Sequence, residues 1–148
     1  MPIAENIAAV RERVAAAARR ANRNPDDITL MGVSKTFSVD AIRQAYAAGL
    51  RVFGENRVQE FAAKAAALRD LPNAEWHLIG HLQTNKAAKA VELFDAVDSV
   101  DSIRMAEKQI HMQVVGPVQP SSRLRPEFRS NGIGQDAEWM LMSIGGGQ

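Results

Sequence analysis

The sequence contains no cysteine, few aromatic residues and almost no net charge. Without cysteine, neither a disulfide framework nor a thiolate metal site can form. A net charge of +1 provides no broad electrostatic attraction to nucleic acid or to an acidic membrane. No apolar run approaches the roughly 20 residues that a membrane-spanning helix needs. The first residues lack the basic and apolar segments of a signal peptide, so we expect a soluble, cytoplasmic protein.

The 148 residues have the length of one ordinary domain. Apolar residues recur every three or four positions from residue 3 to residue 21, which predicts one amphipathic helix. The arginines of this segment, including Arg11, fall mostly off the apolar face, and we interpret them as solvent-exposed. A cluster of turn residues at 22–27 ends the helix.

Four strand–helix units follow. Ile28–Val33 is a continuous apolar run of strand length, after which Ser38 is expected to cap a helix that Gly49 ends. Further strands are predicted at 51–56, 76–81 and 96–100, with helices at 58–68, at 84–94 (capped by Thr84) and from 102 to 110 (carrying Ile103, Ala106 and Ile110). Such alternation indicates parallel strands joined by crossovers, in a doubly wound sheet or a (β/α) barrel.

Polar residues stand at the end of every predicted strand. They are Lys35, Glu55 with Asn56, His81 with Gln83, and Ser99 with Asp101. Polar side chains that converge from several strand ends form the active sites of (β/α) barrels, which favours the barrel. We therefore predict an α/β fold, a partial TIM-type barrel of about four strand–helix units preceded by an N-terminal helix.

The alternating pattern stops near residue 108. Residues 109–148 are rich in glycine, proline and serine, and only Val114-Val115 suggests part of a fifth strand. A closed barrel usually needs about 200 residues or more, so this chain holds roughly half of one. We divide it into a barrel half at 1–108 and a divergent, irregular tail at 109–148. An open half-barrel leaves strand edges and apolar surface uncovered, so self-association is expected.

Lys35 is the strongest candidate for covalent chemistry. An amine at a buried strand end can be desolvated, which favours the neutral nucleophile that Schiff-base formation with an aldehyde cofactor requires. The alternative is a surface lysine just beyond a strand. Asn56 either hydrogen-bonds a planar ligand or caps the following helix. We expect His81 to form a hydrogen bond at a strand end and His77 to be packed in the core. We expect no metal site, because no third ligand has suitable spacing.

Four motifs follow one another along the chain: Val33-Ser34-Lys35-Thr36, the run from Phe53-Gly54-Glu55-Asn56 to Glu60, Trp76-His77-Leu78-Ile79-Gly80-His81-Leu82-Gln83 with Asn85-Lys86, and Asp98-Ser99-Val100-Asp101-Ser102. Together they resemble the YggS-type pyridoxal phosphate homeostasis proteins. The resemblance implies a barrel similar to the N-terminal domain of alanine racemase, with pyridoxal 5′-phosphate (PLP) in a Schiff base at Lys35. It further implies that Asn56 and His81 line the cofactor pocket. The implied role is vitamin B6 balance and cofactor delivery, without established catalytic turnover.

The chain also departs from this family. The later Ser-x-Gly-Met-Ser and Arg-x-Gly motifs, which hold the cofactor phosphate in the family, are absent. The run Met142-Ser143-Ile144-Gly145 is a superficial echo, expected to have no strand before it. We hypothesise a frameshift or truncation near Lys108 and expect weak PLP retention. Two alternatives stay open: a racemase-like PLP enzyme, although the only tyrosine, Tyr46, lies mid-helix, and a half-barrel fragment without cofactor function.

Overall fold

The computed structural model describes residues 2–100 and the strand at 138–143. Helices and strands alternate in these ranges, with short 3₁₀ turns at Pro25–Asp27, Ala66–Leu68 and Thr84–Lys86. The elements are α1 (Ile3–Arg20), β1 (Ile28–Val33), α2 (Val39–Ala47), β2 (Val52–Glu55), α3 (Val58–Ala65), β3 (Glu75–Leu78), α4 (Ala87–Leu93), β4 (Ala96–Val97) and β5 (Glu138–Ser143).

The strands form one parallel sheet in the order β4-β3-β2-β1-β5. Strands β1 to β4 lie side by side in chain order, as successive strands of a (β/α) barrel do, whereas a doubly wound sheet reverses direction. The predicted α/β fold with barrel-type parallel strands is therefore confirmed. All the strands point the same way, so their carboxyl ends meet at one edge of the sheet.

Strand β5 corrects the expectation that no strand precedes Met142. It pairs with β1 in parallel, in a register that runs from Ile28 opposite Glu138 to Val33 opposite Ser143. The local sequence could not indicate this, because the partner is the otherwise free edge of β1, more than a hundred residues earlier. The predicted helix starting at Ser102 and the predicted strand at Val114-Val115 lie outside the described residues.

Local capping signals were partly correct. The Ser38 side chain accepts a hydrogen bond from the Ala41 amide at 3.2 Å, and Gly49 has a φ of +87°, so both predicted ends of α2 are confirmed. The Thr84 cap is wrong, because Thr84 opens a 3₁₀ turn and the α-helix begins only at Ala87. Strands β3 and β4 end at Leu78 and Val97, earlier than predicted.

The core lies between the sheet and its helices. Trp76 on β3 stacks on Phe53 of β2 with ring centroids 4.9 Å apart, and Phe61 of α3 contacts both Trp76 and Phe94. These aromatic contacts join three elements around one buried cluster.

Arg11 lies on the exposed face of α1 and also makes hydrogen bonds to a neighbouring helix. Its guanidinium donates to the Ala48 and Gly49 carbonyls at 3.2 and 2.7 Å, and it thereby ties α1 to the end of α2. Although Arg11 is exposed as the sequence predicts, it also serves as a C-terminal partner for the neighbouring helix.

Candidate functional site

The three predicted site residues follow consecutive strands at the carboxyl edge. Lys35 lies two residues beyond β1, Asn56 directly follows β2, and His81 lies three residues beyond β3. Lys35 and His81 are exposed and Asn56 is half-buried. Of the two alternatives for Lys35, an amine desolvated by burial and a surface lysine just beyond a strand, its exposure agrees with the second. Within the described residues, the Lys35 amine makes no hydrogen bond or ion pair.

Asn56 and Gly80 bring two of the strand ends into direct contact. A β-carbon on Gly80 would lie 2.1 Å from the Asn56 carbonyl oxygen and 2.6 Å from Oδ1, so only glycine fits. The Ile79 amide donates to the Glu55 carbonyl at 2.9 Å, and the Ser99 hydroxyl donates to the Gly80 carbonyl. The segment that carries His81 is thus fixed against Asn56 on one side and against Ser99 on the other.

The capping alternative for Asn56 is wrong. Helix α3 begins at Val58 with Arg57 in the N-cap position, and no side chain caps it. Asn56 instead lies in the loop that contacts the Gly80 backbone.

Lys35 sits in a strained β-turn. The Phe37 amide donates to the Ser34 carbonyl at 3.1 Å, which closes the turn around Lys35 and Thr36. Thr36 has a φ of +67°, in the left-handed region where the third residue of a type II turn is normally glycine. For a β-branched residue this conformation costs on the order of 1–3 kcal/mol, so other contacts must maintain it.

Helix α3 supplies those contacts. The Thr36 amide donates to the carboxylate of Glu60. The Lys64 ammonium donates to the Ser34 carbonyl at 3.3 Å and to the Phe37 carbonyl at 3.4 Å. Both sides of the Lys35 turn are therefore held by charged side chains one helical turn apart.

The position of Glu55 at the end of a strand suggested that it lines the open edge of the sheet, but it does not. Its side chain is fully buried and accepts hydrogen bonds from the Ser34 hydroxyl at 2.6 Å and from the Lys64 ammonium at 2.9 Å. Its other oxygen, Oε2, has no hydrogen-bond partner in the part of the chain that the structure describes. Glu55 pairs across the sheet with Leu78, a core residue, so it faces the helices.

The link among Glu55, Glu60 and Lys64 was missed from the sequence. Two signals were available: a carboxylate within an otherwise apolar strand, and a Glu60–Lys64 pair at the i, i+4 spacing of a helix. Neither signal names the Lys35 turn as the partner, because that contact arises only from the packing of α3 on β1 and β2.

His77 is packed, as predicted. It is 5% exposed, and its Nδ1 lies 2.9 and 3.2 Å from the two carboxylate oxygens of Asp98. This contact joins β3 to the segment after β4. Within residues 2–100 and 138–143, no three His, Cys, Asp or Glu residues cluster so as to hold a metal ion. None of the described helices is long and apolar enough to span a bilayer.

A parallel sheet in barrel strand order, with an exposed lysine in the turn after its first strand, defines the class of a (β/α)-barrel protein. No protein-family model matches the chain. The chain is 46% identical over 114 residues to the pyridoxal phosphate homeostasis protein of Pseudomonas aeruginosa and 45% identical over 108 residues to that of Escherichia coli. These matches cover 77% and 72% of this chain and 49% and 46% of the two relatives.

Solved structures agree with these sequence matches. PipY of Synechococcus elongatus, solved with PLP bound, superposes with a TM-score of 0.64 and 50% identity over 74% of this chain and 47% of PipY. A protein of unknown function from Bifidobacterium adolescentis gives a TM-score of 0.66 at 34% identity, over 76% of this chain and 50% of that protein. The resemblance to the pyridoxal phosphate homeostasis proteins is confirmed, and the chain spans about half the length of these relatives.

Proposed function

We propose that this chain binds PLP through a Schiff base at Lys35 and takes part in PLP homeostasis. The observation that carries the proposal is the exposed Lys35 amine, without a partner in the described residues, at the carboxyl edge of the sheet. PipY, which shares this part of the fold, has PLP bound in its structure. An amine that no carboxylate holds is available to an aldehyde from solvent.

The neighbouring residues fit a planar cofactor. The half-buried Asn56 side-chain amide offers both a hydrogen-bond donor and an acceptor. Because Gly80 has no side chain, its backbone can pass close to Asn56. His81 lies exposed on the same edge, one residue beyond Gly80. When bound, PLP supplies an electron-withdrawing ring, while these residues would bind and orient it.

We further propose that the family-like part is 1–108 and that 109–148 is a divergent tail, which a frameshift or truncation near Lys108 produced. The matches cover 77% and 72% of this chain, which supports a division into a family-like part and a tail. Sequencing the locus tests the origin of the tail: a frameshift requires another reading frame downstream that encodes the missing motifs. Since the family's phosphate-binding motifs are absent from the sequence, PLP is expected to be held weakly.

The absorption spectrum of the purified protein mixed with PLP tests the proposal. We expect a Schiff-base band that Lys35→Ala removes and that Lys89→Ala, at an exposed lysine on α4, leaves unchanged. Circular dichroism verifies that each variant is folded. A folded protein without the band contradicts PLP binding at Lys35, and a band that survives exhaustive dialysis contradicts weak retention.

The racemase-like alternative is disfavoured by Tyr46. A racemase needs a second acid or base opposite the first, and the Tyr46 hydroxyl instead donates to the Pro72 carbonyl at 2.7 Å. Incubation of the PLP-loaded protein with single enantiomers of amino acids, followed by chiral chromatography, decides between the two. Formation of the opposite enantiomer, lost in Lys35→Ala, would establish the enzyme.

We also propose that the chain resides in the cytoplasm and self-associates through its strand edges. Strand β4 is an edge of the described sheet, and Ala96 and Val97 are only half-buried. Light scattering is expected to show an average molar mass that increases with protein concentration. Val97→Lys is expected to reduce this increase, because it places a charge on the strand edge. A constant monomer mass contradicts self-association.

A further inference from the structure

We propose that Glu55, Glu60 and Lys64, here called the turn-holding network, position Lys35 and make it, rather than Lys64, the aldehyde-reactive amine at this edge. The proposal rests on the proposed function in that PLP is the aldehyde. It assigns these three residues a positioning role, because Glu55 and Lys64 are largely buried and the Glu60 carboxylate is bonded to the Thr36 amide.

Two lysines lie close to the same turn, and they differ in the contacts that their amines make. The Lys64 ammonium contacts the Glu55 carboxylate at 2.9 Å, lies 3.7 Å from the Glu60 carboxylate, and donates to two backbone carbonyls of the turn. Its side chain is 13% exposed. Lys35 is exposed and has no such partner within residues 2–100.

This difference selects the nucleophile. An amine needs a free lone pair to attack an aldehyde, and the Lys64 nitrogen is instead held in an ion pair with the Glu55 carboxylate. The three donated hydrogen bonds also use the ammonium protons of Lys64, so its nitrogen is not directed towards solvent. Among the described residues, none restrains the Lys35 amine in this way.

The network also fixes the direction of Lys35. The turn includes Thr36 in a left-handed backbone conformation, which a β-branched residue disfavours. The Glu60 carboxylate accepts a hydrogen bond from the Thr36 amide. The Lys64 ammonium donates to the carbonyls of Ser34 and Phe37, which flank Lys35 and Thr36. A buried charged group such as Glu55, with one oxygen that finds no hydrogen-bond partner among the described residues, is costly to maintain, which is consistent with a role beyond packing.

Two chemical probes on the folded full chain test the proposal. With PLP, the lysine nitrogen forms a C=N bond to the aldehyde carbon and the aldehyde oxygen leaves as water; added borohydride then reduces that bond to a stable amine. Acetylation with an N-hydroxysuccinimide ester reports amine reactivity without PLP. Peptide mass spectrometry measures the label at Lys35 and at Lys64 for each probe.

In the wild type we expect Lys35 to carry at least about ten times more of either label than Lys64. Glu55→Gln removes the buried charge and is expected to lower this ratio about tenfold, the usual effect of one lost charge-assisted interaction. Glu60→Gln keeps an acceptor but loses the charge. It is expected to lower PLP labelling of Lys35 by about threefold to tenfold and to leave its acetylation unchanged.

The matched control is Glu92→Gln, which breaks the exposed Lys89–Glu92 pair on α4 and is expected to change neither ratio. If Glu55→Gln does not fold, Glu60→Gln, at a residue whose side chain is 31% exposed, carries the test. Equal labelling of Lys64 and Lys35 in the wild type, or unchanged PLP labelling in Glu60→Gln, overturns the proposal. A high acetylation ratio without PLP on Lys35 supports the selection of Lys35 over Lys64 by the network while refuting the proposed function.

Discussion

The Gly80 backbone passes so close to Asn56 that a β-carbon at position 80 would lie 2.1 Å from the Asn56 carbonyl oxygen. The obstacle is backbone and cannot rotate away, so one of the two loops must move. Because the segment after Gly80 carries His81, this single contact sets the spacing between two of the proposed cofactor-binding residues.

Gly80→Ala is therefore expected to destabilise the protein by about 3 kcal/mol, measured by urea unfolding, and to weaken PLP binding. Gly54→Ala is the control, since its added β-carbon meets side-chain atoms, Met31 Sδ at 2.9 Å and Ile79 Cδ1 at 3.0 Å, and not backbone. The cost there is expected to be about 1 kcal/mol, because side chains can shift. Equal losses in the two variants would show that the Asn56 contact is not the tighter one.

Sequence patterns predicted what local physics determines. The apolar run gave β1 at Ile28–Val33, and the N-cap serine and the left-handed glycine bracketed α2 correctly. Parallel strand order followed from the alternation of elements. The same patterns placed polar residues at a common edge, which holds for Lys35, Asn56 and His81.

The remainder depends on contacts between distant segments. Glu55 looks like an edge residue in the sequence, yet it faces α3, because the last residue of β2 still follows the alternation of the strand. Strand β5 required a partner edge that no local pattern displays. The left-handed Thr36 could not be anticipated, because a β-branched residue opposes that conformation and only packing imposes it.

Thr36 provides the second prediction. Thr36→Gly removes the steric cost of the left-handed turn, whereas Thr36→Ala retains most of it. The glycine variant is expected to be about 1 kcal/mol more stable than the alanine variant in urea unfolding. Both keep the amide that donates to Glu60, so the comparison isolates the backbone term. A more stable alanine variant would mean that the turn is not strained at this residue.

Arg43 and Asp70 give a pH-dependent prediction away from the site. Arg43 donates to Asp70 at 2.6 Å, and this hydrogen bond holds the pKa of the Asp70 carboxyl below its ordinary value. A lowered pKa in the folded protein stabilises it above the unfolded pKa of about 4, and this contribution disappears as the pH falls through the folded pKa.

The difference in urea midpoint between wild type and Asp70→Asn should therefore be present near pH 6 and shrink below about pH 4. Asp40→Asn serves as the control, because Asp40 acts on Arg43 only through its charge and makes no hydrogen bond to it. A wild-type advantage that stays constant from pH 6 to pH 3 would contradict the assignment to the Asp70 carboxylate.

The buried Glu55–Lys64 pair yields the last prediction. Lys64→Met leaves the fully buried Glu55 carboxylate without its cation and is expected to cost about 3 kcal/mol in urea unfolding. Glu55→Met/Lys64→Met removes both charges and is expected to return to within about 1–2 kcal/mol of the wild type. Lys89→Met breaks an exposed pair and should cost about 0.5 kcal/mol or less. If the double variant is as unstable as the sum of its two single variants, the two residues are not energetically coupled, and Lys64 holds the turn through its carbonyl contacts alone.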